Sequence, residues 1–205
     1  MTVPPGPRLL PLVDTPTPER RDAARNRAAL LEAAERLMAL HGAQAVTMDA
    51  VAAAAGVGKG TVFRRFGSRQ GLLVAVLDRS EAEWQASVMS GPPPLGPGAD
   101  PWDRLLAFGR SRLETALRHS DLIRAAGWAA QRSAAAYTFT LMHARFLLAE
   151  LGVTGDLRMF SAALMAPLEV PVLDPQVAVD TVDVDLVHAG WVDIAARIVG
   201  RTAGG

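Results

Sequence analysis

Apolar side chains in this sequence recur mostly at helical spacing. Between Pro18 and His41, Leu30, Ala33, Ala34, Leu37 and Met38 fall on one stripe, and Gly42 follows as a stop signal. From Thr47, a good N-cap with Asp49 in the first turn behind it, Met48, Val51, Ala52 and Ala55 repeat the i, i+3, i+4, i+7 rule until Gly56. A short helix is expected from about Gly58 to Phe66. Ser68 then caps a fourth, with Leu72, Leu73, Val76, Leu77 and Trp84 on its apolar face. The stretch SGPPPLGPGADP, residues 90–101, carries too much proline and glycine for any helix and reads as a loop.

Beyond the loop, Trp102, Leu105, Leu106, Gly109, Leu113 and Leu117 mark a helix to about His119. Further helices are expected over 121–131, over 133–151 and from Asp156 to about Glu169. VPVLDPQVAVDTVDVD, residues 170–185, alternates like a strand but has no evident partner strand, so it is read as loop. Val184, Val187, Trp191, Ile194, Ala195 and Ile198 predict the last helix. The expected fold is all-α with about nine helices. A leader of residues 1–19, rich in proline and read as disordered, precedes a compact unit over 20–82 and a second helical unit over 83–205.

Composition narrows the chemistry. Half of the residues are hydrophobic, enough for a sizeable core. The absence of cysteine excludes disulfides, thiol catalysis and cysteine-ligated metal, and fits a cytoplasmic location. His41, His119, His143 and His188 show no paired metal-ligand spacing, and no nucleophile, acid and base converge by pattern. Neither a catalytic residue, a metal nor a cofactor is therefore expected. No apolar run reaches the roughly 18 residues of a membrane span. Net charge is zero, yet residues 1–80 hold 11 Lys and Arg against 7 Asp and Glu, so the first unit is the one suited to an anion.

The anion is suggested by GVGKGTVFRRF, residues 56–66, which contains the chain's only lysine. A phosphate-binding Walker loop would need Gly at 53 and Ser or Thr at 60. The sequence has Ala53 and Gly60, after a helix instead of a strand. A helix-turn-helix fits better: a two-turn helix from Thr47, a turn at Gly56 and Val57, and a second short helix bearing Lys59, Thr61, Arg64 and Arg65. Gly58 and Gly60 leave room for backbone N–H groups to approach phosphates.

The run VTMDAVAAAAGVGKGTVFRRFGSRQGLLVAVL resembles the DNA-binding domain of TetR-family transcriptional regulators. Thr47, Val51, Ala52, Ala55, Gly56, Val57, Gly60, Thr61, Phe66, Ser68 and Leu72 fall on the family pattern. Gly58, Phe63, Arg65 and Arg69 replace its usual Ser, Tyr, His and Lys. The resemblance implies a homodimeric, ligand-responsive repressor. Its DNA contacts would come from Thr47, Gly58, Lys59, Gly60, Thr61, Phe63, Arg64, Arg65 and Arg69. Trp102, Trp128, Tyr137, Phe139, Met142, Arg145 and Met159 would line a pocket for a small apolar effector. The last two long helices would form the dimer, with Trp191, Ile194 and Ile198 at the interface. The partners expected are thus double-stranded operator DNA, a second copy and the effector, and not a membrane. The alternatives are an all-α enzyme, or an interaction module in which the helix-turn-helix only packs.

Overall fold

The computed structural model describes residues 18–126, 134–173 and 181–201. Among them lie nine α-helices and no strand: α1 Pro18–His41, α2 Met48–Ala54, α3 Lys59–Phe66, α4 Arg69–Ser90, α5 Pro101–Arg118, α6 Ser120–Ala126, α7 Ala134–Glu150, α8 Leu157–Leu173 and α9 Val184–Val199. A 3₁₀ turn, Ala43–Ala45, links α1 to α2.

The expected starts are where the caps are. Thr47 Oγ1 accepts from Ala50 N at 3.1 Å and Ser68 Oγ from Gly71 N at 3.1 Å, each satisfying an orphan donor of a first turn. Asp100 and Asp183 do the same for α5 and α9.

Three expectations change. The helical pattern takes in Pro18 and Glu19, which were assigned to the leader; the rest of the leader, 1–17, lies outside the described residues. The seventh helix starts at Ala134, while the end of the segment expected over 121–131 is outside the described residues past Ala126. The third is a correction: residues 170–173 are the last turn of α8 and not loop. The strand-like Val/Asp alternation hid this turn, and Pro167 and Pro171 within the helix supply no N–H to its ladder. Packing overrides that signal, because α8 buries Leu164, Met165 and Leu168 against α5, α7 and α9.

Two cores result. The first joins Leu30, Leu31, Ala33 and Ala34 of α1, Met48, Val51 and Ala52 of α2, Val62 of α3, and Leu72, Leu73, Ala75 and Val76 of α4. Leu122 and Ala126 of α6 belong to it as well. The second joins Trp84 and Val88 of α4 to the buried faces of α5, α7, α8 and α9. The 22-residue α4 is therefore one rod shared by both cores, and the boundary expected at 82/83 falls inside it. About 1.5 Å of rise per residue makes that rod roughly 33 Å long.

Trp191 centres the second core. It is 1% exposed, and its Nε1 donates to Leu164 O at 2.6 Å. Its ring lies where Gly109 leaves space: a Cβ built on Gly109 would stand 2.7 Å from Cζ2 and closer still to Cη2 and Cζ3. Glycine at 109 is thus what lets α5 and α9 approach.

Candidate nucleic-acid interface

The α2–α3 corner is built by backbone chemistry. Gly56 takes φ +67°, a left-handed conformation that other residues seldom adopt. Val57 N then bonds to Ala52 O at 3.0 Å and Gly56 N to Ala53 O at 3.2 Å. This double closure caps the last carbonyls of α2 and turns the chain sharply. Val57 packs back on the first core, which fixes where α3 begins.

Gly58 is the N-cap of α3, with an extended backbone and no side chain to cap with. Its carbonyl accepts from Thr61 N at 2.8 Å. Val62 is buried and Phe66 half-buried, so they hold one edge of α3 on the core. Lys59, Gly60, Phe63 and Arg64 form the opposite, exposed edge. Nothing lies within 4 Å of a Cβ built on Gly58 or Gly60. The α3 N-terminus and its first-turn N–H groups therefore face open space, as an anion site requires.

The expected cations divide into two pairs. Lys59 Nζ pairs with Asp49 Oδ2 at 2.8 Å, and its ammonium stands 5.7 Å from the Phe63 ring centre. Arg64 Nη2 donates to Thr61 Oγ1 at 3.4 Å and stays exposed. Arg65 instead turns back to α1, donating to Ala23 O at 3.1 Å. Arg69 grips the α1–α2 connection: Nε donates to Val46 O at 2.7 Å, and Nη2 to Ala43 O at 2.7 Å and Gln44 O at 3.1 Å. Its geometry is that of a buckle closing the carbonyl ends ahead of α2. Sequence reasoning did not find Asp49 as the partner of Lys59, although the tight corner folds the first turn of α3 back toward the first turn of α2.

The residues expected around an effector do not converge on one site. Phe139 meets the Trp84 ring edge-on at 5.9 Å and stacks on His143 at 5.9 Å, inside the second core. His143 is also against Phe108 at 4.9 Å, and burial, with Arg104 nearby, holds its imidazole down to about 4, so it stays neutral at ordinary pH. Trp102 is half-buried, with Arg201 over its ring at 5.1 Å. Tyr137, Met142 and Met159 are exposed. Met142 and Arg145 line an open groove of about 620 Å³ with Phe146, Leu157 and Arg158, between α7 and the start of α8. Trp128 lies outside the described residues.

Of the three residues assigned to a dimer interface, Trp191 is corrected: it fills the protomer's own core and presents no surface. Ile198 is half-buried on that core, and Ile194 is exposed. The outward apolar positions of α8 and α9 are Met159, Ala163 and Ala166, and Leu186, Ala189, Gly190 and Ile194. No group of three or more His, Asp or Glu among the described residues is placed to hold a metal, and no helix there is long and apolar enough to cross a membrane.

The sequence model described as bacterial regulatory proteins, tetR family, matches residues 30–76. No curated protein matches the sequence. Among solved structures, a TetR-family transcriptional regulator from Pectobacterium atrosepticum superposes with a TM-score of 0.67 at 20% identity, over 87% of this chain and 94% of that one. RolR in complex with resorcinol gives 0.57 at 22% identity, over 90% and 98%. A transcriptional regulator from Saccharomonospora viridis in complex with choline gives 0.56 at 19%, over 83% and 95%. The helix-turn-helix unit of this chain belongs to the tetR family of bacterial regulatory proteins, and the chain as a whole has the all-α fold of those regulators.

Proposed function

We propose that the chain is a sequence-specific, DNA-binding transcriptional regulator, acting as a homodimeric repressor that answers to a small effector. One observation carries the DNA reading. The free edge of α3 presents Lys59, Gly60, Phe63 and Arg64 with the helix N-terminus, and the Thr47-capped N-terminus of α2 is joined to it through the Asp49–Lys59 pair. Such an edge enters a major groove while the α2 N-terminus meets a phosphate. In this reading Lys59 and Arg64 contact phosphate or base edges, and Thr61 touches a phosphate or a thymine methyl. Gly58 and Gly60 admit the backbone, Phe63 packs along the groove wall, and Arg65 and Arg69 place the helix while adding positive potential.

Residues 20–82 would serve as the DNA-binding unit and 83–205 as the effector and dimer unit. One helix-turn-helix reads few base pairs, so two copies related by a two-fold axis are needed. The outward apolar faces of α8 and α9, with Met159 64% exposed, suit a second copy. Ile194 remains a candidate there, with Ile198 at the margin. The relatives that hold resorcinol and choline support a small organic effector in the helical bundle, with Phe139, Met142 and Arg145 as contact candidates. The effector acts by its unequal affinity for two forms of the dimer.

Duplexes enriched from a random pool by the full-length protein provide the test. Binding to an enriched and a scrambled duplex is measured by fluorescence anisotropy at two salt concentrations. The enriched duplex binds more tightly, and Lys59→Gln weakens both and lowers the salt slope by about one per recognition helix. Equal affinity of the wild type for both duplexes at every salt concentration refutes the proposal.

A further inference from the structure

The most buried charge among the described residues is Arg112 of α5, at 1% exposed. Its Nη1 donates to Glu81 Oε1 of α4 at 2.7 Å, and its Nε to Glu169 Oε1 of α8 at 3.4 Å. Its guanidinium also stands 4.9 Å from the Trp84 ring centre, on α4 one turn from Glu81. One side chain thus ties three helices. Burying such a cluster gains little stability over apolar residues of the same volume, because desolvation offsets the attraction. What it does supply is a fixed geometry, and the helix so fixed is α4. The first half of α4 packs with α1, α2 and α3, and its N-cap Ser68 is two residues past the end of α3. A second polar tie, Ser80 Oγ to His119 Nε2 at 2.6 Å, holds the same stretch of α4 to the α5–α6 junction.

We propose that Arg112 is a positioning residue for DNA recognition: through Glu81 and Glu169 it clamps α4 to α8 and so sets where α3 stands relative to the bundle. The inference rests on the DNA-binding reading above. Glu169 is the adjustable jaw. Its contact is the longer of the two, and burial pushes its carboxyl up to about 7, against the opposing pull of Arg112. Charges acting on it include Arg112 from α5 and Glu81 from α4. His119, beside Glu81 and Arg112, is pushed down by burial, and α7 brings His143, held neutral, into the core. Above about pH 7 the jaw is ionised and closed; below it the carboxyl takes a proton and releases the guanidinium. A loosened α4 lowers the fraction of molecules whose recognition helices match the DNA, and apparent affinity falls by that fraction.

The experiment uses full-length wild type, Glu169→Gln, Arg112→Met and, as an ion-pair control away from α4, Arg110→Gln, which loses its partners Asp185 and Glu114. Affinity for a wild-type-enriched duplex is measured at about pH 8 and about pH 6, with amide hydrogen exchange over 59–80 at both. Wild type binds about fivefold more weakly at the lower pH, at the low end of measured couplings between sites. Glu169→Gln binds at about pH 8 as weakly as wild type does at about pH 6 and shows no further decline. It exchanges faster over 69–80, and Arg110→Gln behaves as wild type. A merely structural role would alter stability without moving that pH profile, and Glu169→Gln keeps the test open should Arg112→Met fail to fold. Identical affinity, pH profile and exchange in Glu169→Gln and wild type overturn the proposal. Faster exchange without sequence-dependent binding by any variant supports the clamp and refutes the DNA reading instead.

Discussion

Replacing Asp49 by Asn tests what Lys59 is for. The Asp49–Lys59 pair spans 2.8 Å between side chains 62% and 60% exposed, so in the free protein it is worth about 0.2–1 kcal/mol. The carboxylate also sits in the first turn of α2, where a negative charge adds roughly 0.3–1 kcal/mol. Asp49→Asn therefore costs about 1 kcal/mol of stability, readable by urea denaturation. On DNA the sign reverses. Lys59 no longer leaves a carboxylate to reach a phosphate, and one negative charge facing the backbone is gone. Removing that carboxylate raises the net charge each recognition helix turns to the phosphates by one, which steepens the salt slope by up to about 0.9. From about 50 to about 200 mM salt the variant thus loses roughly 3.5-fold more affinity per helix than wild type does, and about twelvefold more for two helices. At the lower salt it binds more tightly. Anisotropy titrations on one enriched duplex at several salt concentrations give both quantities. An unchanged slope, or weaker binding at low salt, would mean that the Asp49–Lys59 corner does not face the phosphates.

Gly109→Ala should destabilise the protein by about 1–3 kcal/mol, since the methyl would collide with the buried Trp191 ring, whereas helix propensity alone predicts a gain of up to about 1 kcal/mol; thermal unfolding reads the sign. Gly60→Ala meets nothing within 4 Å, so it should raise stability by about 0.5–1 kcal/mol while weakening duplex binding, a split that anisotropy and denaturation together detect. Glu169 keeps a proton up to about 7 in the folded chain and only to its ordinary 4.5 when unfolded, so its contribution is present below 4.5 and is lost as pH rises to about 7. Glu169→Gln should accordingly remove on the order of 2 kcal/mol of the fall in stability between about pH 5 and about pH 7.

How far the sequence could be read depended on whether the deciding interactions were local. Thr47, Gly56 and Ser68 act within one turn of their own positions, so spacing alone located α2, α3 and α4. The clamp was illegible because Arg112 meets Glu81 and Glu169 across 31 and 57 positions, and no periodicity links such residues. Arg65 and Arg69 look like surface cations in a basic run, yet their donors reach backbone carbonyls of other elements. Trp191 satisfies the spacing of either a core or an interface. Only the gap at Gly109, distant in sequence but directly against the ring on α5, decides for the core. At the end of α8, the Val/Asp alternation outweighed a helical pattern that α8 anchors upstream through Leu164, Met165 and Leu168.

The placement of α3 in duplex grooves, twice per assembly, is tested most directly by hydroxyl-radical footprinting of the full-length protein on an enriched duplex. The account predicts two protected patches on one face of the DNA, separated by about one helical turn or a multiple of it, and both lost in Lys59→Gln at moderate salt. A single patch, or protection without any fixed spacing, would contradict it.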